Sequence, residues 1–115
     1  MKSANKKEST ISVKIKNHND SKGGHPHIIL DDIGNKHVSI GITHTKKNKK
    51  KPNNHELKIN PLGETRKSYM QRSATVKPKR EYFRTRNGLM NPEDFNKAKL
   101  IGDKKKKNYL ENKKK

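Results

Sequence analysis

The sequence predicts a mainly β fold: a small barrel-like domain with one C-terminal helix and basic segments that stay disordered. Three observations predict it. Apolar residues alternate with polar ones over short runs instead of recurring at helical spacing. A turn pair, Gly34-Asn35, separates the two best runs. The one clear helix-start signal, Asn91-Pro92-Glu93-Asp94, comes after all of the strands.

Residues 1–9 are polar and read as a disordered N-terminus. The folded domain is expected over 10–102. Thr10-Ile11-Ser12-Val13-Lys14-Ile15 alternates β-branched and polar residues, as a half-buried strand does. Asn17 to Gly24 reads as a loop. His27 to Asp31 is a strand with an apolar centre, and Val38, Ile40 and Ile42 alternate cleanly. With Gly34-Asn35 as a two-residue turn these make a β-hairpin. That hairpin sets Ile29 opposite Ile40, Leu30 opposite Ser39, Pro26 opposite Thr43 and His25 opposite His44. It places His27, Ile29, Val38, Ile40 and Ile42 on one face, and it points Thr43 away from His25, an orientation that a bulge or a different loop would change.

Beyond the hairpin, residues 44–54 form a basic loop that cannot build a core. Leu57 and Ile59 suggest a short strand, Asn60-Pro61-Leu62-Gly63 a turn, and Ser68 to Val76 a weakly patterned strand. Asn91 suits a helix N-cap and Pro92 the first helical position, with Glu93 and Asp94 at the positive end of the helix. Phe95, Ala98 and Ile101 give a narrow apolar stripe, Gly102 a stop, and 103–115 a Lys-rich tail.

Composition narrows the partners. Thirty Lys and Arg against eleven Asp and Glu give a net charge of +19, while only 25% of residues are apolar. Such a charge calls for a polyanion, and nucleic acid is the commonest. An anionic membrane surface is the rival, but no apolar run approaches a membrane span or the core of a signal peptide, and no lipidation signal or amphipathic basic helix is present, so no membrane partner is expected. The absence of cysteine excludes disulfides and thiolate metal sites and fits a cytoplasmic location.

The candidate catalytic residues lie at the open end of the hairpin: His25, Thr43 and His44. A histidine titrates near neutrality and can act as base or acid, and a threonine hydroxyl can hold a phosphate. Next to a basic surface this combination suggests metal-free RNA cleavage, with the 2′-OH attacking the adjacent phosphorus. His25-x-His27 lacks a third and fourth ligand, so neither a metal nor another cofactor is expected. The candidate nucleic-acid contacts are Lys46, Lys47, Lys49, Lys50 and Lys51 in the loop, with Arg66, Arg72, Arg80, Arg84 and Arg86 interleaved with Tyr69, Tyr82 and Phe83. Lysine runs supply salt-sensitive affinity, and mixed arginine and aromatic residues supply phosphate contact and base stacking.

Gly24-His25-Pro26 before an apolar strand, Asp32-Ile33-Gly34-Asn35, and Gly41-Ile42-Thr43 together resemble the PemK/MazF-like toxin ribonucleases. Ser68-Tyr69-Met70-Gln71 with Thr75, and Gly88-Leu89 before the helix start, are similar to later family steps. The resemblance covers roughly residues 23 to 101. It implies an SH3-like barrel, metal-independent cleavage of single-stranded RNA and an acidic antitoxin as protein partner; a homodimer is compatible with it. Thr43 matches the family's active-site threonine. His25 stands where the family has an arginine, and the family's first strand has no counterpart in residues 1–22. Three readings follow. The chain is a divergent RNA-cleaving toxin; or it is a non-catalytic RNA- or DNA-binding protein on the same fold, ribosome-associated or encoded on a mobile element; or it is an inhibitor that binds an acidic protein.

Overall fold

The computed structural model describes residues 9–19, 25–44 and 54–113. Residues 1–8 of the expected N-terminal segment, Gly24 of the motif, and the cluster Lys46, Lys47, Lys49, Lys50 and Lys51 lie outside the described residues. The chain is mainly β with one C-terminal helix. Its strands are β1 (Ile11–His18), β2 (His25–Ile33), β3 (Lys36–His44), β4 (His55–Glu56), β5 (Ser68–Met70), β6 (Thr75–Pro78) and β7 (Tyr82–Met90), and α1 (Pro92–Lys113) follows. They form an open antiparallel sheet in the order β4-β5-β3-β2-β1-β7, with β6 also paired to β3.

The hairpin β2–β3 is the centre of the sheet. Its turn places Gly34 at φ 57°, a left-handed conformation that glycine adopts without strain. Strand β3 is buried on both faces. Val38, Ile40 and Ile42 are fully buried against Val13, Ile15, Ile28, Met70 and Met90. Each such side chain stabilises the fold by about 1.5–3 kcal/mol relative to exposure.

Helix α1 covers this apolar face. Asn91 caps it, its Oδ1 accepting from the Glu93 and Asp94 amides at 2.9 and 3.4 Å. Phe95, Ala98 and Ile101 pack on the core as their spacing predicts. Asp94, only 3% exposed, accepts from His55 Nε2 at 2.9 Å and from the Lys58 amide at 2.7 Å, which ties β4 to the helix.

The helix does not stop at Gly102; it continues through the expected tail to Lys113. Gly102 serves close approach instead. A Cβ there would stand 2.7 Å from Leu30 Cδ1. One turn later Lys106 Nζ meets Asp31 Oδ2 at 2.9 Å. No helix among the described residues is long and apolar enough to cross a membrane.

The opposite face of β3 is buried as well, but by polar groups. Ser39 Oγ bonds His27 Nδ1 (2.9 Å), Tyr82 OH (2.8 Å) and Thr75 Oγ1 (3.3 Å). Tyr82 stands edge-on to His18 and His37 at 4.7 and 4.9 Å between ring centroids. His18 Nε2 donates to Glu81 Oε1 at 2.8 Å. His37 Nδ1 donates to Asp32 Oδ1 at 2.7 Å and its Nε2 accepts from Lys16 Nζ at 3.2 Å. This polar layer is held in place by the chain path after β6. A three-residue 3-10 turn (Lys79–Glu81) carries it from the edge of β3 to β1, where β7 begins with Tyr82.

Candidate nucleic-acid interface

The pairing of β2 with β3 decides which predicted residues meet. Near the turn it is as expected: Ile33 faces Lys36, Asp32 faces His37 and Asp31 faces Val38. Leu30 is then left over in a bulge. Beyond it Ile29 faces Ser39, Ile28 faces Ile40 and His27 faces Gly41. The expected pairs Ile29–Ile40 and Leu30–Ser39 are therefore shifted by one residue. Ile28, not Ile29, shares the face of Ile40, and His27 lies on the polar face with Ser39.

The same shift moves the candidate site. Counting two residues outward from His27 and Gly41 reaches His25 and Thr43, so these two share the polar face. The regular hairpin would have separated them. Thr43 Oγ1 accepts from Asn54 Nδ2 at 3.5 Å, and Asn54 O accepts from Arg72 Nη2 at 3.4 Å. The Gln71 amide donates to Gly41 O at 3.0 Å, and its side chain lies over Gly41, where a Cβ would stand 3.0 Å from Oε1. A histidine, a hydroxyl, two amides and an arginine thus gather beside the end of β3. Asn54 and Gln71 are new to the site; their contact with Thr43 and Gly41 follows from β5 pairing next to Ile42, which no sequence spacing indicates.

His44 faces the other way, on the side of Ile42. Its Nε2 accepts from Asn60 Nδ2 at 3.1 Å. Asn60 Nδ2 also reaches Arg66 O at 2.9 Å, and its Oδ1 accepts from the Leu62 amide at 2.9 Å, so it organises the whole 60–66 turn. Burial, and then the Arg66 and His25 charges, push the His44 pKa below the usual histidine value. The shift favours the neutral ring. Arg66 in turn grips Glu64 at 2.6 Å and holds that carboxyl below its usual range, with a smaller contribution from Arg86. The turn packs on β7, since a Cβ on Gly88 would run into Pro61 O. The three proposed catalytic residues therefore flank one end of the sheet from two faces. Two buried oxygens at this end, Asn17 Oδ1 and Ser68 Oγ, have no hydrogen-bond partner among the described residues.

The remaining candidates separate. Arg72, Arg80, Arg84 and Arg86 are exposed. Tyr82 is 8% exposed and sits inside the polar layer, so its ring is not offered for stacking. The exposed aromatic of this segment is its neighbour Phe83, at 41%. Among the described residues no three His, Asp or Glu side chains are grouped so as to hold a metal ion. Comparison with protein-family models, with curated proteins and with solved structures finds no match to this chain.

Proposed function

We propose that this chain binds single-stranded RNA across the end of its sheet and cleaves it without a metal, as a divergent PemK/MazF-like ribonuclease. The observation that carries the reading is the Leu30 bulge, which sets His25 on the face of Thr43 beside Arg72. The net charge of +19 supplies the affinity for a polyanion. The 3-10 turn that joins the two sides of the meander supports an SH3-like curl of the sheet.

In this reading neutral His44 takes the proton of the attacking 2′-OH. The new 2′ O–P bond forms as the 5′ O–P bond breaks, leaving a cyclic phosphate and a 5′-hydroxyl. His25 returns a proton to the departing 5′-oxygen. Thr43 donates to a phosphate oxygen, and Arg66 and Arg72 offset the charge of the phosphorane. An acidic antitoxin is the protein partner this reading implies.

A second reading, binding without cleavage, is favoured by two observations. Asn60 already occupies His44 Nε2, and His25 lacks the permanent forked charge of an arginine. Incubating the full chain with single-stranded RNA in EDTA separates the two. Cut RNA supports the ribonuclease, intact bound RNA supports the binder, and RNA that neither binds nor is cut overturns both.

A further inference from the structure

The start of β7 combines three features that the fold itself does not explain. Phe83 is 41% exposed in a chain with only two phenylalanines. Arg84 holds φ at 58°, the left-handed conformation, in which a residue with a Cβ is strained by about 1–2 kcal/mol. Arg84 and Thr85 together stand against Lys16, because the β1–β7 ladder shifts between Ile15, which faces Arg86, and Asn17, which faces Phe83. Glycine is the usual residue at such a bulge. Among the described residues β7 also lies at the end of the strand order, paired along one side by β1.

We infer that Phe83 is a stacking platform for one nucleotide base and that the bulge holds Arg84 to meet the adjoining phosphate. This rests on the reading of the chain as an RNA-binding protein and deepens it. The position fits. Phe83 pairs with Asn17, and Asn17 pairs with Pro26, so Phe83 lies at the same end of the sheet as His25 but on the opposite face, the side of His44. Arg86 is close enough to act on Glu64, the partner of Arg66 beside His44. A base held on Phe83 places the neighbouring phosphodiester toward that end of the sheet. Stacking accepts any base, since every base offers a π-face. The platform therefore orients the strand without choosing its sequence, and an aromatic set beside an arginine suits single strands better than duplexes.

The test uses the full chain, a fluorescent single-stranded oligonucleotide and a thermal melt of each variant. Phe83→Leu, which keeps apolar cover but removes the π-face, is expected to weaken binding about tenfold with an unchanged melt. Phe83→Trp is expected to retain binding. Arg84→Asn, whose side chain tolerates the left-handed backbone, is expected to melt no lower than the parent. It should nonetheless bind less tightly, with the slope of log K against log salt reduced by about one. Parental affinity and slope in Phe83→Leu and Arg84→Asn, with RNA bound normally by the parent, would overturn the platform and leave the RNA-binding reading standing. A parent that binds no RNA would overturn that reading as well.

Discussion

The two faces of β3 are buried to the same degree by opposite means. On one face Val38, Ile40 and Ile42 lose contact with water among other apolar side chains under α1. On the other, His37 and Ser39 are buried among histidines, Tyr82 and Thr75. The first face needs only hydrophobic surface. The second is stable only while its donors and acceptors are matched, because an unmatched buried polar group costs far more than a matched one returns. A chain with 25% apolar residues cannot cover both sides of a central strand with hydrocarbon, and hydrogen bonding covers the second.

The comparison is most easily broken on the apolar side. Ile40→Ala is expected to destabilise by about 2–5 kcal/mol in urea unfolding, the range of a buried large-to-small change. Against the total of about 5–15 kcal/mol usual for a domain, that leaves little margin. On the polar side, Ser39→Ala removes one hydrogen-bond partner from each of His27 and Tyr82, and a loss of about 1–3 kcal/mol is expected. A change no larger than that of an exposed serine would show that the polar layer is passive. A smaller effect probes how the helix is fastened to the apolar side. The hydrogen bond from Lys106 holds the Asp31 carboxyl below its usual pKa. Its contribution is therefore present above the unfolded value near 3.8 and is lost as pH falls through the lower folded value. Asp31→Asn should cost under about 1 kcal/mol at pH 7, as partly exposed pairs do, and should lessen the loss of stability below pH ~4.

The two faces also differ in how far they could be read. Alternation at Val38, Ile40 and Ile42 marks the apolar face directly, and Asn91-Pro92 marks the helix start. The bulge was not legible, because Ile28, Ile29 and Leu30 are all apolar and support either register equally. Only the packing of Leu30 on Gly102 and of Asp31 on Lys106 decides between them. Gly102 reads as a stop for the same reason that it is needed, its lack of a side chain. β7 was hidden because residues 83–87 are exposed, so no alternation marks it. The polar layer was hidden because histidines at strand ends carry no signal of burial. Its only trace is that His18, His27 and His37 precede or interrupt β-prone runs. At the candidate site the residue types were legible, and which of them share a face was not.

The central claim is that the bulge assembles a working site from His25 and Thr43. Its most direct test is the rate of single-stranded RNA cleavage in EDTA for the parent chain, His25→Ala, Thr43→Ala and His25→Arg, each checked for an unchanged melt. The account predicts cutting by the parent, its loss in both alanine variants and its loss in His25→Arg, because a guanidinium does not release a proton near neutral pH. Full activity in both alanine variants, or RNA left intact by the parent, would contradict it.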